Sequence, residues 1–314
     1  MTVLVTGGMG FVGSYVVRGL LTQGSDVVTM DVANDDNQAH LVLGDDELSR
    51  ITSVAGDVAD AAFLYRVVNE HRVDRIVHLV HAVDPTGSNP AAEVRTNIEG
   101  FLNVLEAART FSVRRVVWAS SSALFGSAAW HAGPVGRTGA HRPRIPYEAY
   151  KSHNETVGDY YAQTFGVDSI ALRFNYVYGY GRRVAPDRPG FDAGLFLAPV
   201  RGEIGRVPFS DGVVLWQYVE DTAGTVLAAL AAPDNVRGAF NTCGSVTSVR
   251  DIADLVRERI PEARFEFLPG ELDFVHEIDD SETSDALGYE QRFDIRAGVG
   301  RTLDAFMAGT LSVV

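Results

Sequence analysis

The chain has 314 residues, 46% hydrophobic and 22% charged, and carries a formal net charge of −14. That is ordinary globular composition, but so acidic a chain lacks the clustered Lys and Arg that phosphate neutralisation needs, which excludes nucleic acid as an expected partner. A single cysteine, Cys243, excludes an internal disulfide and argues against any metal site of the Cys type, and no apolar run reaches the ~18–20 residues of a membrane span.

The N-terminus, MTVLVTGGMG, has no basic region and becomes a strand at once, so a signal peptide is not expected and the cytoplasm is the expected compartment. Strand and helix patterns then alternate. TVLVT reads as a first strand and FVGSYVVRGLLTQG as a helix closed by Gly24. DVVTMD and ITSVAGD follow as strands, then the helical DAAFLYRVVNEH, the strand RIVHLVHAV and the long helix PAAEVRTNIEGFLNVLEAARTF. RRVVWASSS is a fifth strand, a helix runs from about Pro146 to Phe165, and SIALRFNYVYG is a sixth strand. Short apolar strands separated by amphipathic helices predict an α/β fold: a Rossmann-type, doubly wound parallel sheet covered on both faces.

After Tyr178 the pattern loosens. GYGRRVAPDRPGFD reads as a loop, DTAGTVLAALAA as a helix, GAFNTCG as a strand and SVRDIADLVRERIP as a helix entered through Ser248 and Asp251. The remainder reads as irregular. Residues 1–174 plus about 216–244 are assigned to a dinucleotide-binding domain. About 175–215 plus 245–314 are assigned to a smaller C-terminal α/β substrate lobe.

The turn TGGMGFVG joins the first strand to the first helix. Gly8, Gly10 and Gly13 fit G-x-G-x-x-G, and Gly7, Gly10 and Gly13 fit G-x-x-G-x-x-G equally well. Either way, bare backbone N–H groups at a helix N-terminus, with Phe11 and Val12 in the turn, accept a pyrophosphate that side chains would hold off. Asp31 closes the second strand about 20 residues on, where a carboxylate accepts from an adenosine ribose and repels a 2′-phosphate. MDVANDDNQ offers no Arg or Lys, so NAD is expected over NADP. In GDV, Asp57 beside Val58 either meets the adenine or caps the next helix, a role for which Asp60 competes.

In PYEAYK, Tyr147 and Lys151 are four residues apart and share a helix face, whereas Tyr150 and Lys151 diverge by about 100°. A phenol titrates near about 10, and an adjacent ammonium lowers that value. Lys151 is also placed to bind a nicotinamide ribose. A tyrosine tuned in this way removes an alcohol proton as the carbon is oxidised. Ser120, Ser121 and Ser122 end the fifth strand, at the edge where such sheets bind ligands, and a hydroxyl there polarises a substrate oxygen.

With these pieces in order, the chain resembles the extended short-chain dehydrogenase/reductases, the NAD-dependent epimerase/dehydratase family. TGGMGFVG, Asp31, GDV, HLVHA, TNIEG, SSSALFG, PYEAYK, LRFNYVYG, YVEDTA and FNTCGSVTS carry the resemblance almost end to end. It implies NAD on the large lobe, substrate between the lobes and a Ser–Tyr–Lys catalytic set: Ser121, with Ser122 as fallback, Tyr147 and Lys151. It implies that Leu79, Val80 and His81 form the strand edge over the dinucleotide, that Asn97 lies near the cofactor, and that Phe174 and Asn175 lie beside nicotinamide and substrate. His81 stands where the family has a small residue, and reads either as a donor or proton relay in the substrate pocket or as a packed histidine beside the cofactor. His78 reads as structural. The resemblance also implies a homodimer through the helices bearing Asn97 and Tyr147, whose apolar faces alone would equally serve packing on the sheet.

Departures from the family bear on the reaction. No acid follows the catalytic hydroxyl (Ser122, Ala123 and Leu124 do), so dehydration is not expected. Val214 stands near the place of an arginine that holds nucleotide-sugar diphosphates, which leaves Arg182, Arg183, Arg188, Arg201 and Arg206 as substitutes. The tail resembles that of the short-chain threonine dehydrogenases of this family and is nearly as close to many epimerase tails. The expectation is therefore an NAD-dependent enzyme that abstracts hydride from a secondary alcohol of a small hydroxylated substrate, such as a sugar, sugar acid or hydroxy acid. The alternatives are a sugar epimerase of the UDP-glucose 4-epimerase type and, behind it, a non-catalytic dinucleotide sensor.

Overall fold

Apolar side chains project from both faces of TVLVT, which suits a strand buried on two sides. β1 (Thr2–Thr6) accordingly lies inside the main sheet, with Val3 and Val5 in one core and Leu4 in the other. The computed structural model describes residues 1–32, 38–82, 89–182, 191–209, 211–270 and 272–311. The other strands, in chain order, are β2 (Asp26–Asp31), β3 (Ile51–Ala55), β4 (Arg75–His78), β5 (Arg115–Ser121), β6 (Ser169–Phe174) and β7 (Tyr176–Tyr178). They continue with β8 (Ile204–Pro208), β9 (Val213–Tyr218), β10 (Gly238–Asn241), β11 (Ser245–Ser248) and β12 (Arg264–Leu268).

The main sheet is seven-stranded and parallel throughout, ordered β10, β6, β5, β4, β1, β2, β3. Chain order reverses between β1 and β4, and a crevice opens at the carboxyl ends of strands there. On one face, helices Phe11–Thr22 and Val219–Ala231 pack together. On the other, Phe101, Val104 and Leu105 of helix Gly100–Phe111 join Leu4, Ile76 and Trp118 in the second core. β7, β9 and β11 make a separate three-stranded sheet, and β8 and β12 a parallel pair.

Three elements differ from the sequence reading. RIVHLVHAV forms a ladder only as far as His78: the last bond of that edge is from Leu79 N–H to Thr6 O, because β1 ends at Thr6 and the chain turns away through Gly7. SIALRFNYVYG is two strands, since the Asn175 N–H goes to the Gln217 side chain and the chain leaves the main sheet for the small one. The tail read as irregular contains helix Ile295–Leu311. Gly298 and Gly309 weaken its helical pattern, and a Cβ at either would collide with the hydroxyl of Tyr178 or Tyr180. The capping box at Ser248 and Asp251 forms as read.

Candidate active site

The helix Phe11–Thr22 begins directly after the glycine turn, with Gly10 in the N-cap position. Gly7 takes φ +75°, a conformation that disfavours L side chains, and a Cβ at Gly13 would collide with the Gly7 carbonyl oxygen. The turn therefore presents bare backbone at a helix N-terminus, to which the helix dipole draws an anion. Asp31 closes β2 beside it and accepts a hydrogen bond from Met9 N–H at 3.2 Å. Burial pushes its carboxyl up to about 6, against the pull of the backbone N–H bonds.

These residues form one side of a groove of about 660 Å³, which Val58, Leu79, Val80, His81 and Lys151 help to line. A pyrophosphate at bare N–H groups, a ribose at the Asp31 carboxylate and a cation further along fit a dinucleotide. Two residues expected at the cofactor make bonds within the fold. Asp60 accepts from Phe63 N–H as the helix cap, while Asp57 accepts from Ala59 N–H and closes its own turn. Asn97 is buried and clamps Ala82 by both ends of its amide (2.9 and 2.8 Å), which fixes the segment that carries His81 and does not line the groove.

Helix Pro146–Phe165 starts with Pro146 at its first turn and ends at Gly166 in the left-handed conformation. One face of it carries Tyr147, Lys151 and Glu155 at four-residue steps. The Tyr147 ring meets His81 edge-on at 4.7 Å between centroids, and Ser121 lines the adjoining cavity with it. Lys151 Nζ donates to Ala119 O at 2.7 Å and stands 5.8 Å from the Tyr147 ring centroid.

The expectation that Lys151 lowers the phenol pKa does not hold in this state. Burial raises the Tyr147 pKa, only partly offset by Ser121, and burial lowers Lys151 to about 8. Taking either charge out of water costs more here than their spacing returns. His81 is lowered to about 2 by burial and by Lys151, and its enclosed Nε2 has no partner among the described residues. It lines the groove as a neutral ring beside the cofactor face. His78 is held by Thr6 at 2.7 Å, and Cys243 is buried with its thiol pushed up to about 12 by burial.

The three serines separate. Ser120 Oγ donates to Glu155 Oε1 at 2.5 Å, and Ser122 Oγ donates to Phe174 O at 3.4 Å. Ser121 Oγ accepts from Ala123 N–H at 3.2 Å, and of the three it alone pulls the Tyr147 pKa down. Glu155 was not picked out in the sequence. It is buried, holds a bidentate ion pair with Arg173 (2.9 and 2.7 Å), and lies 3.2 Å from His141 Nε2. Its place two turns after Tyr147 on the same helix face was the available signal.

A second cavity of about 410 Å³ opens on the other side of Tyr147, and Tyr147, Phe174, Asn175 and Tyr176 line both. Asn175 Nδ2 donates to Thr242 O at 2.8 Å, which pins the point where the chain changes sheets. Val214 lines this cavity where the resemblance expects an arginine. Arg182 is spent on Asp192 and Val177 O, Arg206 pairs with Glu266 at the surface, and Arg201 is exposed. Arg183 and Arg188 lie outside the described residues.

Similarity searches agree with this architecture. A family model described as the NAD dependent epimerase/dehydratase family matches residues 3–243. A relative from Methanocaldococcus jannaschii named a putative UDP-glucose 4-epimerase is 26% identical over 96% of this chain and 97% of its own. The crystal structure of UDP-glucose 4-epimerase with UDP-glucose from Thermotoga maritima superposes with a TM-score of 0.86, at 25% identity over 99% of this chain and 100% of that one. A Thermus thermophilus UDP-glucose 4-epimerase complex with NAD superposes at 0.83 over 98% and 99% of the two chains, with 24% identity, a likeness of fold.

Proposed function

We propose a reaction from one premise: the chain belongs to the NAD-dependent epimerase/dehydratase family, so it is an enzyme of the extended short-chain dehydrogenase/reductase class that uses NAD. The reaction is hydride transfer at the carbinol carbon of a secondary alcohol. One observation carries the reading: Tyr147 lines both the dinucleotide groove and the second cavity, which Ser121 also lines. NAD supplies the two-electron acceptor. The glycine turn holds its pyrophosphate, Asp31 its adenosine ribose, and Lys151 its second ribose. Tyr147 takes the alcohol proton and Ser121 Oγ donates to the alcohol oxygen, polarising the C–O bond as it becomes a carbonyl.

Two completions share this step. The names of the relatives support epimerisation, in which hydride returns to the opposite face of the same carbon and NAD stays bound. They support it better than they support net oxidation. Net oxidation draws its support from the second cavity, where no Lys or Arg stands among the described lining residues to anchor a diphosphate while a sugar ketone turns over. Dehydration has no carboxyl in that lining to act as acid or base.

A substrate screen that follows NADH absorbance tests the step. Tyr147→Phe should lower kcat/KM by about 10²–10⁴, the contribution of a positioned general base. Unchanged turnover in that variant would refute the assignment. Stoichiometric NAD retained through purification, with no NADH released, would select epimerisation.

A further inference from the structure

The second cavity differs from the groove beside it in the chemistry of its walls. Phe191, Phe209, Leu215, Leu272 and Phe274 are among its walls, and no Lys, Arg, His, Asp or Glu contributes to it among the described residues. Its few polar groups are committed. Ser122 donates to Phe174 O, the Tyr176 hydroxyl donates to Asp192 Oδ2 at 2.9 Å, and the Asn175 amide donates to Thr242 O. Asn175 Oδ1 is enclosed and has no partner among the described residues. A leftover acceptor cannot pair with a carboxylate or phosphate. Among the described residues, Ser121, Tyr147 and the Asn175 Oδ1 acceptor are the groups left to meet a substrate hydroxyl.

The described arginines nearby are paired. Arg144 pairs with Asp273 and Glu148, and Arg182 with Asp192. An anion entering this cavity would lose its water and gain no counter-charge, which is the expensive way to bury a charge. An apolar body would lose nothing on entry and release water from both surfaces.

The aromatic wall is also held in place at a cost. Phe209 adopts φ +57°, a region that a bulky side chain rarely occupies, and a Cβ at Gly270 would stand 2.6 Å from its ring. Phe191 meets Tyr176 edge-on at 5.0 Å and packs on Trp216 at 5.2 Å. The volume, about 410 Å³, is that of a small-ligand site.

We propose that the substrate is a neutral secondary alcohol, or its ketone, whose body beyond the carbinol is hydrocarbon. The carbinol sits at Ser121 and Tyr147, and the body packs against Phe191, Phe209 and Phe274. This rests on the hydride-transfer reading above. The carbinol C–H breaks and its electron pair reduces NAD⁺ to NADH. The O–H proton leaves through Tyr147, and the alcohol is oxidised to the ketone.

The test gives the NAD-loaded enzyme three probes: 4-phenylbutan-2-ol, 3-hydroxybutyrate, which carries the same carbinol beside a carboxylate, and UDP-glucose. The neutral carbinol should exceed both others in kcat/KM by roughly 100-fold or more. Phe274→Arg, at a partly exposed position on the cavity rim, should lose most turnover of the carbinol and keep its NAD affinity. Calorimetry of 4-phenylbutan-2-one against NADH-saturated Tyr147→Phe enzyme reads binding without turnover, and saturable binding is expected. Turnover of UDP-glucose, to NADH or to its epimer, or of 3-hydroxybutyrate at equal efficiency would overturn the substrate class and leave hydride transfer standing. Binding of the ketone with no NADH from any probe would support the apolar site and overturn hydride transfer. Absence of both binding and turnover of the neutral pair would overturn the inference.

Discussion

Glu155→Gln tests whether the site rests on the buried ion pair beneath it. The Glu155 carboxylate accepts from Ser120 Oγ and from Arg173 Nε and Nη2, and His141 lies against it. Arg173, the residue before Phe174, is as deeply buried as its partner. The glutamate desolvates on folding, which alone would raise its pKa. The bonds from His141, Arg173 and Ser120 outweigh that and lower it from 4.5 to about 2. At ~1.36 kcal/mol per pKa unit, that shift corresponds to about 3 kcal/mol of native-state stability at neutral pH. Glutamine keeps the shape and removes the charge, which leaves the Arg173 guanidinium buried with only Arg137 O and Asn241 Oδ1 as strong acceptors. A deficit of about 3 kcal/mol, at the low end of what breaking a buried pair costs, is the expected result. Urea unfolding followed by tryptophan fluorescence measures it, with an unchanged slope. The pH arm has a fixed sign. A carboxyl whose pKa is depressed by folding contributes its full stability above the unfolded value of 4.5 and loses it as pH falls toward 2. The gap between wild type and variant should therefore hold down to about pH 5 and narrow by about 1.4 kcal/mol at pH 3.5. A deficit below about 1 kcal/mol at pH 7, or a gap that does not narrow, would refute the reasoning.

The groove yields three further expectations. Lys151 is held near 8 by burial, so in the free enzyme its ammonium is lost as pH rises through about 8. NAD affinity should weaken between pH 7 and 9, and titration of Lys151→Met should show no such slope. Asp31→Ser should raise the NADP-to-NAD preference by about 10- to 100-fold, the worth of one hydrogen bond to a charged group; equal ratios from fluorescence titration would dismiss the ribose contact. Gly13→Ala drives a methyl into the Gly7 carbonyl, so NAD binding measured by calorimetry should be abolished or the protein should fail to accumulate folded.

The glycine turn, the alternation of strands and helices, the cap at Ser248 and the shared face of Tyr147 and Lys151 were all legible in the sequence. Each is decided by residues within a few positions of one another, through backbone sterics and the helical repeat. The three serines look alike on paper. Their separation depends on Glu155, Phe174 and Tyr147, which lie 26 or more positions along the chain. Asn175 reads as mid-strand until Gln217 and Thr242 arrive from elsewhere to take its backbone and amide bonds. The lack of an arginine at Val214 was visible in the sequence, but the apolar cavity was not, because its walls come from seven separate stretches between Ser121 and Val275. Local geometry is encoded where it occurs. Desolvation, charge pairing and cavity shape belong to contacts between distant segments, and only the folded chain brings those segments together.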